Sequence, residues 1–111
     1  MSALSADKAG LASVAELRAE ETIALFAHER PDGRSCFSAL SDVNDDLGRG
    51  YAGENIASGY NLTPKAVVEA WMKSDGHRKN ILSPKFSYLG VGVAFNETTG
   101  QTYWAQMFIG D

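Results

Sequence analysis

The chain has 111 residues, enough for one domain with a modest core. Its hydrophobic content of 44% is too high for a disordered segment, and a formal charge of −4 spread over interspersed acids and bases excludes the basic stripe of a nucleic-acid binder. No apolar stretch approaches a membrane span, residues 1–10 lack the basic-then-apolar pattern of a secretory leader, and Cys36, the single cysteine, excludes an internal disulfide.

Leu11, Val14, Ala15, Ala19, Thr22, Leu25 and Phe26 recur at helical spacing. They predict a helix over 11–26, with Arg18, Glu20 and Glu21 facing outward. It must stop before Pro31, because a residue preceding proline avoids the α region. Pro31-Asp32-Gly33 then turns the chain, so His28 sits at the helix end or just past it. Cys36 reads as a small half-buried residue. Residues 35–40 suit a short helix or coil, 41–50 a polar loop, and 51–58 either a short strand or a turn.

The next helix has the stronger signature. Thr63 suits its N-cap, Pro64 its first position, and Leu62 with Val67 a hydrophobic staple. It runs through Trp71 and Met72, and Ser74-Asp75-Gly76 ends it, with Gly76 free to adopt a left-handed C-cap. His77 then opens a polar turn that carries Arg78 and Lys79.

The last third reads as a β-hairpin. Leu89, Val91, Val93 and Phe95 alternate with Gly90, Gly92 and Ala94, and the connection is Asn96-Glu97-Thr98-Thr99-Gly100. The two glycines lie inside a strand, which suits close packing and not a phosphate loop. Residues 102–109 are bulky on both faces, so this strand is central and covered on both sides. The expected fold class is α+β: a three-layer α/β/α sandwich with a mostly antiparallel central sheet. Trp71 and Trp104 belong to its core. Tyr51, Tyr60 and Tyr88 are too scattered to define a binding face.

His28 and His77 are the only histidines, and with Glu54 they supply the ligand types of a three-ligand zinc site with one open position. The alternative is a hydrogen-bond network in which Glu54 accepts from an imidazole and fixes its tautomer.

The strings Phe26-Ala27-His28, Gly53-Glu54-Asn55-Ile56-Ala57 and Trp71-Met72-Lys73-Ser74-Asp75-Gly76-His77-Arg78-Lys79-Asn80-Ile81-Leu82 stand in order, followed by Leu89-Gly90-Val91-Gly92-Val93 and Tyr103-Trp104-Ala105-Gln106-Met107-Phe108. Together they resemble the CAP superfamily (SCP; cysteine-rich secretory protein, antigen 5 and pathogenesis-related 1), in its short bacterial branch. The resemblance covers nearly the whole chain, as a single CAP/SCP domain over 1–111 that begins without the family's first helix. It implies a cleft with a tetrad of two histidines and two acids that in some members binds a divalent metal. Matched by residue, the metal ligands are His28, Glu54 and His77, and the second acid falls at Ser74, a poor substitute for a carboxylate. Asp75 is adjacent, but one step along a helix turns a side chain by about 100°. Asn80 matches a polar residue after the second histidine, so Ser74, Asp75 and Asn80 are expected to line the cleft, and Arg78 could flank it.

The resemblance implies a secreted or cell-surface binding module, non-enzymatic, for a small-molecule, lipid, peptide or cell-wall ligand or a protein partner. Zinc is its possible cofactor, and no catalytic residue is assigned. A metal-assisted hydrolase using the same cleft is the second reading, although no free base and no His-Glu-x-x-His helix is present. A structural domain with a vestigial cleft is the third.

Overall fold

The computed structural model describes residues 4–6 and 8–110. The first three residues, at the head of the segment read as lacking a leader pattern, lie outside the described set. In chain order the elements are α1 (Leu11–Ala24), α2 (Ser38–Val43), a 3-10 turn (Asp45–Gly48), β1 (Tyr51–Gly59), α3 (Pro64–Met72), α4 (Asp75–Leu82), β2 (Tyr88–Phe95) and β3 (Thr102–Gly110).

The three strands form one antiparallel sheet in the order β1-β3-β2. Strand β3 is the middle one and is buried from Tyr103 to Gly110, as its bulky residues on both faces require. Ala105, Met107 and Ile109 meet α1 on one face. Trp104 meets Val67 and Trp71 of α3 on the other, where Phe86 also stacks on Phe108 with ring centroids 5.4 Å apart. The domain is therefore α+β, with helices on both sides of the sheet.

Helix α1 begins after Gly10, which takes a left-handed φ of 88°. It buries Leu11, Val14, Ala15, Ala19 and Thr22, the stripe that the spacing predicts. It stops at Ala24, so Leu25 and Phe26 lie outside it and are exposed. Arg18 is not on the outer face as expected: it is completely buried. Its position, four residues after Val14 and four before Thr22, places it inside the apolar stripe.

Other local expectations also change. Residues 41–50 are not a plain polar loop, because α2 extends to Val43 and Asn44 caps the 3-10 turn by accepting from the Asp46 N–H. The ambiguous segment 51–58 is strand β1, paired with β3 along its length. Thr63 caps α3 by accepting from the Ala66 N–H at 3.1 Å, with Pro64 at the first position. Gly76 is not a left-handed cap, since it lies within α4, whose N-cap is Ser74. His77 thus stands in the first turn of a helix and not in a polar turn.

Glycines 90 and 92 lie on the face of β2 that α1 crosses. A Cβ at Gly92 would come within 2.4 Å of the Glu16 backbone nitrogen, and one at Gly90 within 2.6 Å of the Leu11 carbonyl oxygen. The helix backbone sits where side chains would otherwise be, which leaves no flexible atom to move aside. Gly92→Ala is expected to destabilise the domain by about 2–3 kcal/mol in urea unfolding. A change below about 0.5 kcal/mol would mean that α1 can lift off the sheet at little cost.

Candidate functional site

Adjacent residues on a strand face opposite ways, and the site is built on this alternation. Glu54 of β1 points into the α1 layer and is 1% exposed. Its neighbour Asn55 points to the α4 side, where its amide donates to the His77 carbonyl and to Gln106 Oε1, each at 3.1 Å. Asn80 of α4 donates to Asn55 Oδ1 at 2.9 Å and to the Glu54 carbonyl at 3.2 Å. These amide bonds dock α4, and with it His77, onto the strand that carries Glu54.

On the other face, Arg18 holds the Glu54 carboxylate in a two-pronged pair. Arg18 Nε donates to Oε2 at 2.7 Å and Nη2 to Oε1 at 3.1 Å. Nη2 also donates to the Ala27 carbonyl at 2.7 Å, which fixes the loop leading to His28. His28 Nδ1 lies 2.9 Å from Glu54 Oε1. We assign the Nδ1 proton to this bond, leaving Nε2 free. The His28 ring is 59% exposed, at the mouth of the cleft.

Cys36 completes the floor. The turn at 31–33 brings the chain back, and the Cys36 N–H donates to the His28 carbonyl at 2.9 Å. His28, Cys36, Phe37, Ala52, Glu54 and Asn80 line an open cleft of about 340 Å³. Each of His28, Cys36 and Glu54 contributes a ligand atom, all within 4.8 Å of one another. Of the six residues expected at the site, His28, Glu54 and Asn80 line this cleft. His77, Ser74 and Asp75 lie outside its lining among the described residues. Ser74 stands at the N-cap position of α4 with no side-chain cap bond, and Asp75 is exposed and paired with Arg78. Arg78 also donates to the Met72 carbonyl, which turns it toward the end of α3.

Charges are tightly paired around the cleft. Burial disfavours the Arg18 cation, but Glu54 outweighs burial and raises its pKa. Arg18 also reaches Glu21 at 2.9 Å, and Glu21 passes the pairing on to the buried Arg30. Burial would raise the Glu21 carboxyl; Arg30 and Arg18 together hold it below the usual range. Asp42 is pulled down to about 2 by hydrogen bonds from Arg34 and Arg30. Burial, and then the charge of Glu54, push the Cys36 thiol up to about 12, so it is neutral and not a nucleophile at pH 7. Burial and then the proximity of His28 lower the His77 pKa, which keeps its ring neutral and able to act as a ligand.

The sequence alone had missed Arg18, Cys36, Asn55 and Gln106 as parts of the site. Arg18 left a signal, a charged residue on a buried helical stripe. Cys36, Asn55 and Gln106 left none, since their partners are distant in the chain. A smaller cavity of about 140 Å³, beside the start of β1 and the end of β3, is lined by Lys8, Asp46, Arg49 and Tyr88. Its charges are already engaged: Lys8 lies over the Tyr88 ring, and Arg49 pairs with Asp46.

Comparison with known proteins shows the family and the fold. The model of the CAP family, described as the cysteine-rich secretory protein family, matches residues 1–108. The chain is 46% identical over 87 residues to the uncharacterized protein YkwD of Bacillus subtilis, covering 77% of the chain and 30% of that protein. It is 47% identical over 58 residues to the uncharacterized membrane protein YlbC of the same organism, covering 52% of the chain and 15% of that protein. The chain thus spans less than a third of either relative. Among solved structures, an outer surface protein of Borrelia burgdorferi superposes with a TM-score of 0.73 at 18% identity, covering 97% of this chain and 77% of that one. A cysteine-rich secretory protein of Staphylococcus aureus superposes with a TM-score of 0.58 at 21% identity, covering 94% of this chain and 31% of that one. At these identities the structural likeness concerns the fold alone.

Proposed function

The chain belongs to the cysteine-rich secretory protein (CAP) family, and we propose that this domain is a binding module that takes a divalent metal through His28 in its cleft and His77 beside it. The observation that carries the reading is the contact between His28 Nδ1 and Glu54 Oε1 at 2.9 Å, with Glu54 clamped by Arg18. A carboxylate that takes one ring N–H of a histidine fixes the tautomer and presents the other nitrogen as a ligand.

Zinc fits this donor set in a specific way. His28 and His77 would hold it, because neutral imidazole suits zinc. Glu54 fits poorly as a direct ligand: both of its oxygens already accept hydrogen bonds from Arg18, and Oε1 also meets His28. Its role is to orient His28. A bound metal would supply a Lewis-acidic point for a carbonyl, carboxylate or phosphate oxygen of a ligand. Phe37, Ala52 and Asn80 give that ligand an apolar wall and an amide.

A hydrolase reading has no structural support of its own. Ser74 and Asp75, the groups it would need to assist, lie outside the cleft lining, and Asp75 is paired with Arg78. A location outside the cell is supported by the family and by the outer surface protein among the structural neighbours. No helix among the described residues is long and apolar enough to cross a membrane.

Isothermal titration of zinc at neutral pH tests the reading. One zinc per chain is expected, with a rise in melting temperature that His28→Ala and the double variant His28→Ala/His77→Ala both abolish while keeping the fold. A rise that persists in the double variant would place the metal elsewhere, and no zinc binding by the wild type would leave the cleft as a structural network.

A further inference from the structure

We infer that the floor of the cleft is a site for a soft monovalent cation of the copper(I) class, held by the sulfur of Cys36 and a ring nitrogen of His28. The inference deepens the binding-module reading of this cleft but does not depend on zinc.

Distance is the first argument. The ligand atoms of Cys36, His28 and Glu54 lie within 4.8 Å of one another. Metal–sulfur and metal–nitrogen bonds of about 2.3 and 2.0 Å put two opposed ligands roughly 4.3 Å apart. The span of a two-coordinate, linear cation thus lies within the separation that bounds these ligand atoms. The second argument is ligand softness, since thiolate combined with imidazole favours copper(I) over hard cations.

Charge selects the monovalent ion. Glu54 is already neutralised by the buried guanidinium of Arg18, with contacts at 2.7 and 3.1 Å. At the buried floor beside Cys36 and Glu54, a divalent cation replacing the thiol proton would add a net positive charge next to that guanidinium, whereas at the open mouth water screens a divalent ion held by imidazole. A monovalent cation replacing the same proton leaves the net charge unchanged. In that step the sulfur–hydrogen bond breaks, a sulfur–metal bond forms, and the proton passes to solvent. Copper enters and stays as copper(I), so nothing is oxidised or reduced.

Preorganisation is the last argument. The Cys36 N–H bond to the His28 carbonyl, at 2.9 Å, closes both ligands onto one turn. Arg18 braces that turn from below through the Ala27 carbonyl. The ligand pair is therefore set by the fold before any cation arrives.

Anaerobic titration of the full chain with copper(I), in competition with a chromophoric chelator, tests this. Zinc is titrated in parallel. One copper(I) per chain is expected, with an ultraviolet sulfur-to-copper charge-transfer band. Cys36→Ser should abolish the band and weaken copper(I) binding by roughly two orders of magnitude, leaving the zinc titration unchanged. The band is read on the wild type, so the inference stays testable even if Cys36→Ser folds poorly. No copper(I) binding, binding without the band, or wild-type affinity in Cys36→Ser each overturns the inference. Loss of zinc binding alone overturns the proposed function and leaves this one standing.

Discussion

Arg18→Met is expected to lower the unfolding free energy by about 3–5 kcal/mol, because it leaves the buried Glu54 charge without its cationic partner, with the His28 ring N–H still donating to it. Methionine keeps most of the stem volume, so the loss reports charge and hydrogen bonding more than a cavity. The variant removes both prongs onto Glu54, the contact to Glu21 and the bond to the Ala27 carbonyl. Glu21 keeps Arg30, so the orphaned group is Glu54. The double variant Arg18→Met/Glu54→Gln removes the stranded charge as well and should recover at least half of the loss. Urea unfolding of the three proteins measures both effects. A single-variant loss below about 1 kcal/mol would show that water reaches Glu54 and that the pair is not sealed.

Trp71→Ala is expected to cost a similar 3–5 kcal/mol, for a different reason. Trp71 is 2% exposed and packs with Val67 and Trp104 in the small core between α3 and the sheet. Its indole N–H donates to the Ile56 carbonyl at 3.1 Å, a second tie between α3 and β1. The truncation opens a large cavity in a small cluster of Val67 and Trp104 flanked by the half-buried Ala57, Leu62 and Ile81. Trp71→Phe keeps a ring in place and loses the N–H, so about half of the cost should return. Thermal unfolding of both variants checks the ordering. Equal losses for Phe and Ala would mean that the hydrogen bond dominates and the packing is secondary.

The zinc and copper titrations bear on function, whereas these two variants bear on the scaffold that holds the cleft. The two meet at Arg18, which stabilises the domain, neutralises Glu54 and braces the loop before His28. In the function proposed above, Glu54 thereby serves to orient His28.

The signals legible in the sequence were local. The apolar stripe of α1, the Thr63-Pro64 start of α3, the alternation of β2 and the two-sided bulk of β3 all depend on residues a few positions apart. Their periods, 3.6 and 2, reveal them without any partner. The motif strings added the family, and with it the expectation that His28 and Glu54 meet. Two local readings went wrong where a neighbour in space outweighed the local pattern. Gly76 joins α4, a helix that the amides of Asn55 and Asn80 tie to β1. Arg18 turns inward because a carboxylate on a strand 36 residues away neutralises it. From residues alone, the chain determined α1, α3, β2, β3 and the three-layer class, while it left 51–58 open and read α4 as a polar turn. Only the tertiary structure decided which charges are buried, that Cys36 joins His28 and Glu54, and that Asn55 and Asn80 dock α4. These depend on pairings between distant residues, and burial makes such pairs favourable only after the sheet has brought them together.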